Sequence, residues 1–394
     1  MGTERFYDSL SIDKSAAFET GFNPYYRSVE AVYRTGALID GESYIDCASN
    51  DYLGLAADPR VKDAMKKAID TYGASLCGTP IASGYARLFT EIGKKLELFT
   101  GAGENVIFPS CYQANCALFQ NIVGESDTIL VDHYAHASLI QGIRLARCKV
   151  KPFKHNDMEH LERLLKSDGS TGRKWVVTES VFSTKGSIAP LDRIADLCEM
   201  YDAVPVVDDS HGIGVIGRNG RGILEEKNIR GFKGIYTASL GKALANAGGI
   251  IAGDPRLIDY MKYSCPGLIY STALTPSSLA GIGAVLDIIE AEFPARSLRL
   301  RQNRAVVLKA LKEAAFTCSD GESPIVSVIC GSDTATFRCA REFFNRKIFT
   351  TAFVPPSVPP GEGLIRIIAG AKLGENEIST ITAAIAETGK EINE

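Results

Sequence analysis

Lys242 stands within Thr237–Gly249, TASLGKALANAGG, between an apolar lead-in (Gly234, Ile235, Tyr236) and the small residues Ala243, Ala245, Ala247, Gly248 and Gly249. A lysine in so cramped a setting is kept partly dry, which disfavours its charged form and lowers its pKa. A neutral amine of this kind forms a Schiff base with an aldehyde. The competing reading is a surface lysine on a Gly/Ala loop, so the rest of the chain must decide.

Four other stretches place polar side chains at the ends of apolar runs. Ser110-Cys111-Tyr112-Gln113-Ala114-Asn115 opens a helix, where free N–H groups and the helix dipole suit a phosphate. Val206-Val207-Asp208-Asp209-Ser210-His211 ends a strand on an acidic pair with a histidine close behind. Asp208 could pair with a protonated pyridine nitrogen and keep the ring an electron sink, and His211 could hydrogen-bond a phenolic oxygen on that ring. A magnesium-binding or capping Asp pair is the alternative. In Asp132-His133-Tyr134-Ala135-His136-Ala137-Ser138, a histidine at a helix start can lay its flat face on an aromatic ring. Spacing does not choose between His133 and His136, and a capping or core histidine is the plain alternative. Ser183, in Thr178-Glu179-Ser180-Val181-Phe182-Ser183, is placed to donate near the same ring or is simply a turn serine.

The elements that must position these residues follow from periodicity. Strands are expected near 105–108, 128–131, 150–153, 175–178, 204–208 and 234–238. Helices are expected near 88–100, 113–122, 137–145, 158–166 and 191–201. Alternating βα units imply an α/β fold with a mostly parallel sheet and helices on both faces. Such sheets bind ligands beyond the carboxyl ends of their strands, which is where the polar stretches fall. Before this block lies an arm, residues 1–49, with an early helix and a hairpin around Gly41. Asp58-Pro59 then starts a helix reaching about Tyr72, with Asp58 as cap and Pro59 in the first position. A long helix after Pro276 leads into a smaller α+β domain. The expected division is 1–49, 50–275 and 276–394.

The 394 residues are 45% hydrophobic, ample for a large core, and the net charge of −4 argues against nucleic acid or an anionic membrane as partner. No apolar run is long enough to span a bilayer. The start, MGTERFYDSLSIDKS, lacks the apolar centre of a signal peptide, so the expected location is cytoplasmic. Ten cysteines occur without a C-x-x-C pair, which fits buried thiols in a reducing compartment and no zinc or iron–sulfur site. His133 and His136 have no acidic or cysteine cluster to complete a metal site. Gly212–Gly217 spells G-x-G-x-x-G, but Arg218-Asn219-Gly220 follows where a dinucleotide site needs a helix. Ala243 stands where a P-loop needs Ser or Thr.

Taken together, NDYLGL (50–55), SGY (83–85), HASL (136–139), KHND (154–157), TESVFS (178–183), VDDSHGIGVIG (207–217), GRG (220–222), SLGKALANAGG (239–249), IYST (269–272) and VPPGEGLIRI (358–367) occur in order over about residues 45–370. This set resembles the pyridoxal 5'-phosphate (PLP) enzymes of fold type I and, more closely, the α-oxoamine synthases. The resemblance implies an acyltransferase of two domains that joins a small amino acid to an acyl-CoA or acyl carrier protein thioester, with loss of CO₂, to give an α-aminoketone. It implies that Lys242 is the Schiff-base lysine and the base that moves the α-proton, and that His136 stacks on the cofactor ring. Asp208 would pair with the ring nitrogen, and His211 and Ser183 would contact the phenolic side. The backbone of Cys111 and Tyr112 with the Ser239 hydroxyl would hold the phosphate. Ser271 and Thr272 would reach it from the neighbouring subunit of a homodimer with a shared active site. Asn50 and Arg366 would receive the amino-acid carboxylate.

Within the family, residues 354–359 and 268–272 look most like the 8-amino-7-oxononanoate synthase branch, which uses L-alanine and a pimeloyl thioester. SLGKALANAGG looks more like glycine C-acetyltransferase, and residues 23–27 resemble the serine palmitoyltransferase branch. The chain departs from the family at Leu373, within Gly370-Ala371-Lys372-Leu373-Gly374, where a histidine is usual. The alternatives from other classes are a PLP aminotransferase, which needs no thioester, and a PLP-less scaffold subunit.

Overall fold

A computed structural model describes residues 2–393. Two short helices, α1 (Gly2–Asp8) and α2 (Ser15–Thr20), precede the strands β1 (Val29–Val32), β2 (Gly36–Ile39) and β3 (Glu42–Asp46). Asp40 and Gly41 turn β2 into β3, both with positive φ (51° and 77°), as a two-residue primed turn requires. Next come α3 (Pro59–Tyr72) and α4 (Arg87–Thr100). Asp58 caps α3 by accepting from the Arg60 N–H at 3.0 Å, with Pro59 in the first turn, where its missing N–H costs nothing.

The α/β block follows as β4 (Glu104–Phe108), α5 (Cys111–Ile122), β5 (Thr128–Asp132), α6 (Ala137–Leu145), β6 (Lys149–Phe153), α7 (Met158–Lys166), β7 (Lys174–Glu179), α8 (Leu191–Met200), β8 (Ala203–Asp208), α9 (Ile223–Glu226), β9 (Ile235–Ser239), β10 (Gly249–Gly253), α10 (Pro255–Ser264) and α11 (Pro266–Ile269). Its seven strands lie in the order β4-β10-β9-β8-β7-β5-β6. All run parallel except β10, which is antiparallel to both β4 and β9. Successive residues feed opposite faces. Leu130, Val176, Val207, Tyr236 and Ile250 join one apolar cluster, and Ile129, Val177, Val206, Ile235 and Ile251 join the other. Burial on both faces explains why these strands read as continuous apolar runs.

The remaining chain is α12 (Pro276–Glu313), β11 (Ile325–Gly331), α13 (Asp333–Asn345), β12 (Ile348–Phe349), β13 (Thr351–Phe353), β14 (Gly363–Ile368) and α14 (Glu375–Asn393). Thr275 caps α12, whose 38 residues serve two cores. Leu279, Ile282 and Leu286 pack in the main cluster against the large sheet, while Val307 and Leu311 belong to the C-terminal cluster. That second core holds Val326, Ile365 and Ile367 from the antiparallel sheet β11-β14-β13. The N-terminal arm is tied into it: Phe22 and Cys47 lie in the same cluster, and β12 pairs parallel with β3.

Asp58→Ala removes the α3 cap and its ion pair with Arg60. It should lower the free energy of unfolding by about 1 kcal/mol without changing the denaturant slope, as read from urea melts.

Candidate active site

The carboxyl ends of β4, β5, β7, β8 and β9 share one edge of the sheet, and the register sets Glu179 beside Asp208 and Asp208 beside Thr237. From β9 the chain enters a closed loop. The Leu240 N–H donates to the Gly248 carbonyl at 2.9 Å, Asn246 N–H to Leu240, and Ala245 N–H to the Lys242 carbonyl at 2.8 Å. Ser239 braces its start, its hydroxyl accepting from Gly241 N–H at 3.1 Å and its own N–H donating to the Ser210 hydroxyl at 2.9 Å. Lys242 is half-buried in this loop. Burial pushes its pKa below the ordinary lysine value, against the pull of Asp208 and Glu179 and with a further push from Arg366.

Asp208 is buried and fully engaged. Its Oδ2 accepts from the Asn115 amide at 2.7 Å, and its Oδ1 accepts from Ser210 N–H at 3.0 Å. The same Asn115 amide donates to the Ser138 hydroxyl at 2.9 Å, which in turn bonds His136 Nδ1 at 2.8 Å. A chain of hydrogen bonds thus links His136 to Asp208. His136 also caps α6 by accepting from Ser138 N–H, so it is both the helix cap and a neighbour of the charged pair. Its ring remains accessible, and the surrounding protein lowers its pKa despite Asp208. His133 is exposed. His211 is buried, its Nδ1 2.8 Å from the Tyr52 hydroxyl. Desolvation, with Lys242 and Arg366 nearby, holds its pKa well below the usual range, so the ring is neutral. Burial raises the Tyr52 hydroxyl in the same way.

Cys111 opens α5 behind the Ser110 cap, and burial raises its thiol, which makes it inert. Tyr112, next to it, is 52% exposed. Ser183 is half-buried and uses its carbonyl, accepting from Arg366 Nη1 at 3.3 Å. Arg366, on β14, is 6% exposed and lies over the Phe353 ring at 4.9 Å. Its Nε is buried without a partner, and so is Asn50 Oδ1. Ser271 is half-buried and Thr272 exposed just beyond α11, with Ser271 N–H donating locally to Leu268.

Sequence reasoning did not single out Tyr52, Asn115 or Glu179. Tyr52 and Asn115 lay inside motifs already noted, but only the fold shows what they touch. The other sequence features have structural uses. Asp209 accepts from the Tyr236 hydroxyl and from Ile223 N–H, and burial raises its pKa to about 7. It holds Gly212–Gly222, which makes turns where a dinucleotide site would have a helix. In the KHND stretch, His155 bridges Asp132 (3.0 Å) and Ser187 (2.8 Å), clamping the end of β5 to the loop after β7. Among the described residues, no group of three His, Cys, Asp or Glu could hold a metal ion.

The residues fit PLP on the structure's own terms. The Nε of the buried Arg366 and the Oδ1 of Asn50 lack partners, and Arg366 lies close enough to Lys242 to help lower its pKa. The backbone is also shaped as a cradle, because a Cβ on Gly249 would strike the Cys111 backbone at the start of α5. Lys242 would take the aldehyde, Asp208 the ring nitrogen, His211 and Ser183 the phenolic side, and His136 the ring face. Cys111 and Tyr112 N–H groups with Ser239 would take the phosphate. Gly249→Ala should displace that first helical turn and weaken cofactor retention about tenfold, read as visible absorbance after dialysis, with the fold kept.

The family model for aminotransferase class I and II matches residues 42–385. The 8-amino-7-oxononanoate synthase of Symbiobacterium thermophilum is 33% identical, over 98% of each chain. That of Thermoanaerobacter pseudethanolicus is 34% identical, over 91% of this chain and 90% of the relative. Among solved structures, a Sphingomonas wittichii serine palmitoyltransferase superposes with a TM-score of 0.91 at 24% identity, over 96% of each chain. The 8-amino-7-oxononanoate synthase of Francisella tularensis gives 0.75 at 26% identity, over 88% of this chain and 98% of the other. With this fold, these motifs and full-length relatives at one-third identity, the chain belongs to the PLP-dependent α-oxoamine synthases, the acyltransferase branch of the class I and II aminotransferase fold.

Proposed function

We propose that this enzyme condenses L-alanine with a pimeloyl thioester to give 8-amino-7-oxononanoate, CO₂ and the free thiol. The observation that carries the reading is Arg366, a buried guanidinium with an unpartnered Nε on the side of the site occupied by Ser183 and Phe353. A planar cation in that state is matched by a carboxylate, which it binds bidentately. PLP supplies an aldehyde for the substrate amine and an electron sink for the α-carbon.

The chain's own groups do the rest. Arg366 and Asn50 hold the amino-acid carboxylate. Lys242, its pKa lowered by burial, is free to accept the α-proton and later return one. The α-carbon then forms its new bond to the thioester carbonyl carbon, and the thiolate leaves with the bonding pair. The carboxylate departs as CO₂, and a proton replaces it at the same carbon. Asp208 has both carboxylate oxygens held by its Asn115 and Ser210 donors, and His211, its pKa well below the usual range, offers a hydrogen bond without adding charge.

Ser271 and Thr272, with little local bonding of their own, support a homodimer in which each subunit completes the other's phosphate site. Ten cysteines without a disulfide among the described residues support a reducing, cytoplasmic setting. No helix among the described residues is long and apolar enough to cross a membrane.

Visible absorbance titrations with glycine, L-alanine and L-serine, followed by acyl-CoAs with thiol release monitored, test this directly. L-Alanine should perturb the cofactor band, and pimeloyl-CoA should then release thiol. A band bleached by amino acid alone, with no need for thioester, would mean transamination instead. Lys242→Ala should lose the band and turnover together. Arg366→Ala should weaken L-alanine binding by about 2–5 kcal/mol, because it removes one partner of a buried charge pair.

A further inference from the structure

Lys372, six residues beyond Arg366, is buried to 7% exposure, and lysine is almost never buried unless paired. Its ammonium donates to Asp46 Oδ2 at 2.8 Å and to the Ser49 hydroxyl at 3.5 Å, and lies 3.9 Å from Asp51 Oδ2. Both carboxylates in turn hold backbone. Asp46 accepts from Ala48 and Ser49 N–H, each at 3.0 Å, and Asp51 accepts from Leu55 N–H at 2.8 Å.

The backbone around Lys372 grips the same turn from both sides. Ile368 N–H donates to the Cys47 carbonyl at 3.0 Å, and Ala371 N–H donates to the Tyr52 carbonyl at 2.8 Å. Gly54, at φ +70°, lies so close to the lysine stem that a Cβ there would press on Lys372 Cβ. Leu373, next to Lys372, is wholly buried in the C-terminal core, and its side chain offers no polar group. Residues 46–49 and 51–55 are therefore pinned to the β14–α14 connection. Between them sits Asn50, whose buried Oδ1 has no partner.

We propose that Lys372 is a positioning residue for amino-acid recognition, fixing the Ser49–Asp51 turn and cancelling the charge of Asp46 and Asp51 so that Asn50 and Arg366 meet the substrate carboxylate. The proposal rests on the assignment of Asn50 and Arg366 to that carboxylate. Without the ammonium, the buried Asp46 and the half-buried Asp51 would be left uncompensated on the turn that carries Asn50, where the substrate carboxylate is assigned. Like charges brought together in low dielectric repel strongly. The lysine thereby acts on binding of the amino acid and leaves thioester binding alone.

The test uses the PLP-loaded enzyme and L-alanine, with dissociation constants read from the visible band. Lys372→Met should raise the L-alanine constant about tenfold or more, while cofactor retention and the thioester KM stay as in the wild type. Lys372→Arg should recover most of the affinity. Wild-type L-alanine affinity in Lys372→Met, or equal loss of amino acid, cofactor and thioester, overturns the proposal. Arg366→Ala is the control: if it too binds L-alanine normally, the carboxylate assignment itself has failed. Should Lys372→Met not fold, Asp51→Asn decides, since asparagine keeps an acceptor for Leu55 N–H while removing one negative charge. It should bind L-alanine about two- to fivefold more tightly, and unchanged or weaker binding overturns the charge-cancelling role.

Discussion

Asp208 is a carboxylate held at the buried end of β8, and the active site is arranged around supplying it with hydrogen-bond donors. An isolated buried anion would take up a proton. Here the Asn115 amide and the Ser210 N–H supply one donor to each of its oxygens. Glu179, its register partner, has its pKa pushed well above the usual carboxylate range by burial beside Asp208. His211 is likewise kept neutral by burial and by the cations around it. A ring nitrogen bound there would face Asp208, beside a lysine whose pKa burial lowers.

That arrangement needs both halves of the chain. The large sheet provides Asp208, His211 and Lys242 from the ends of neighbouring strands. Arg366, however, comes from the small antiparallel sheet and meets the large one through the Ser183 carbonyl. The helix α12 joins the two cores, its first half packed under the large sheet and its last turns in the C-terminal cluster. The N-terminal arm serves the same end. It pairs β3 with β12 and so delivers the Ser49–Tyr52 turn to the side of β14. The substrate side of the site is therefore built where arm, large sheet and C-terminal sheet converge.

Much of the fold was legible in the sequence, because the βα units carry strong apolar periodicity and clear caps. Helices α3, α6 and α7 fall where the periodicity expects them, and each starts behind a side-chain cap, Asp58, His136 or Asp157. The strand β10 was not legible. Its Gly-Ile-Ile-Ala-Gly is apolar on both faces and short, so it reads as the tail of the lysine loop. The family set of Lys242, Asp208, His136 and His211 was legible as motifs. What spacing could not show was the link between His136 and Asp208. It passes through Ser138 and Asn115, which come from two helices after different strands. His136 looked like a choice between capping a helix and serving a site, whereas one ring nitrogen does the capping and the ring still borders the site.

The same distinction explains what remains specific to this chain. A serine palmitoyltransferase at 24% identity keeps the backbone to a TM-score of 0.91, so the fold tolerates wide change in sequence. The conserved chemistry needs only a few residues at strand ends, and those are the ones that motifs record. On the proposed assignment of Arg366 and Asn50 to the substrate carboxylate, choice of amino acid would depend on the charge and fit around them, set by residues that touch the turn and not the reacting atoms. In this chain, one such residue follows the strand that carries Arg366: a buried lysine paired with Asp46, beside a buried leucine. A substitution of that kind is invisible to fold and to motif alike. Under the proposed assignment it would change the balance of buried charge beside the substrate, where a single uncompensated carboxylate outweighs many apolar contacts.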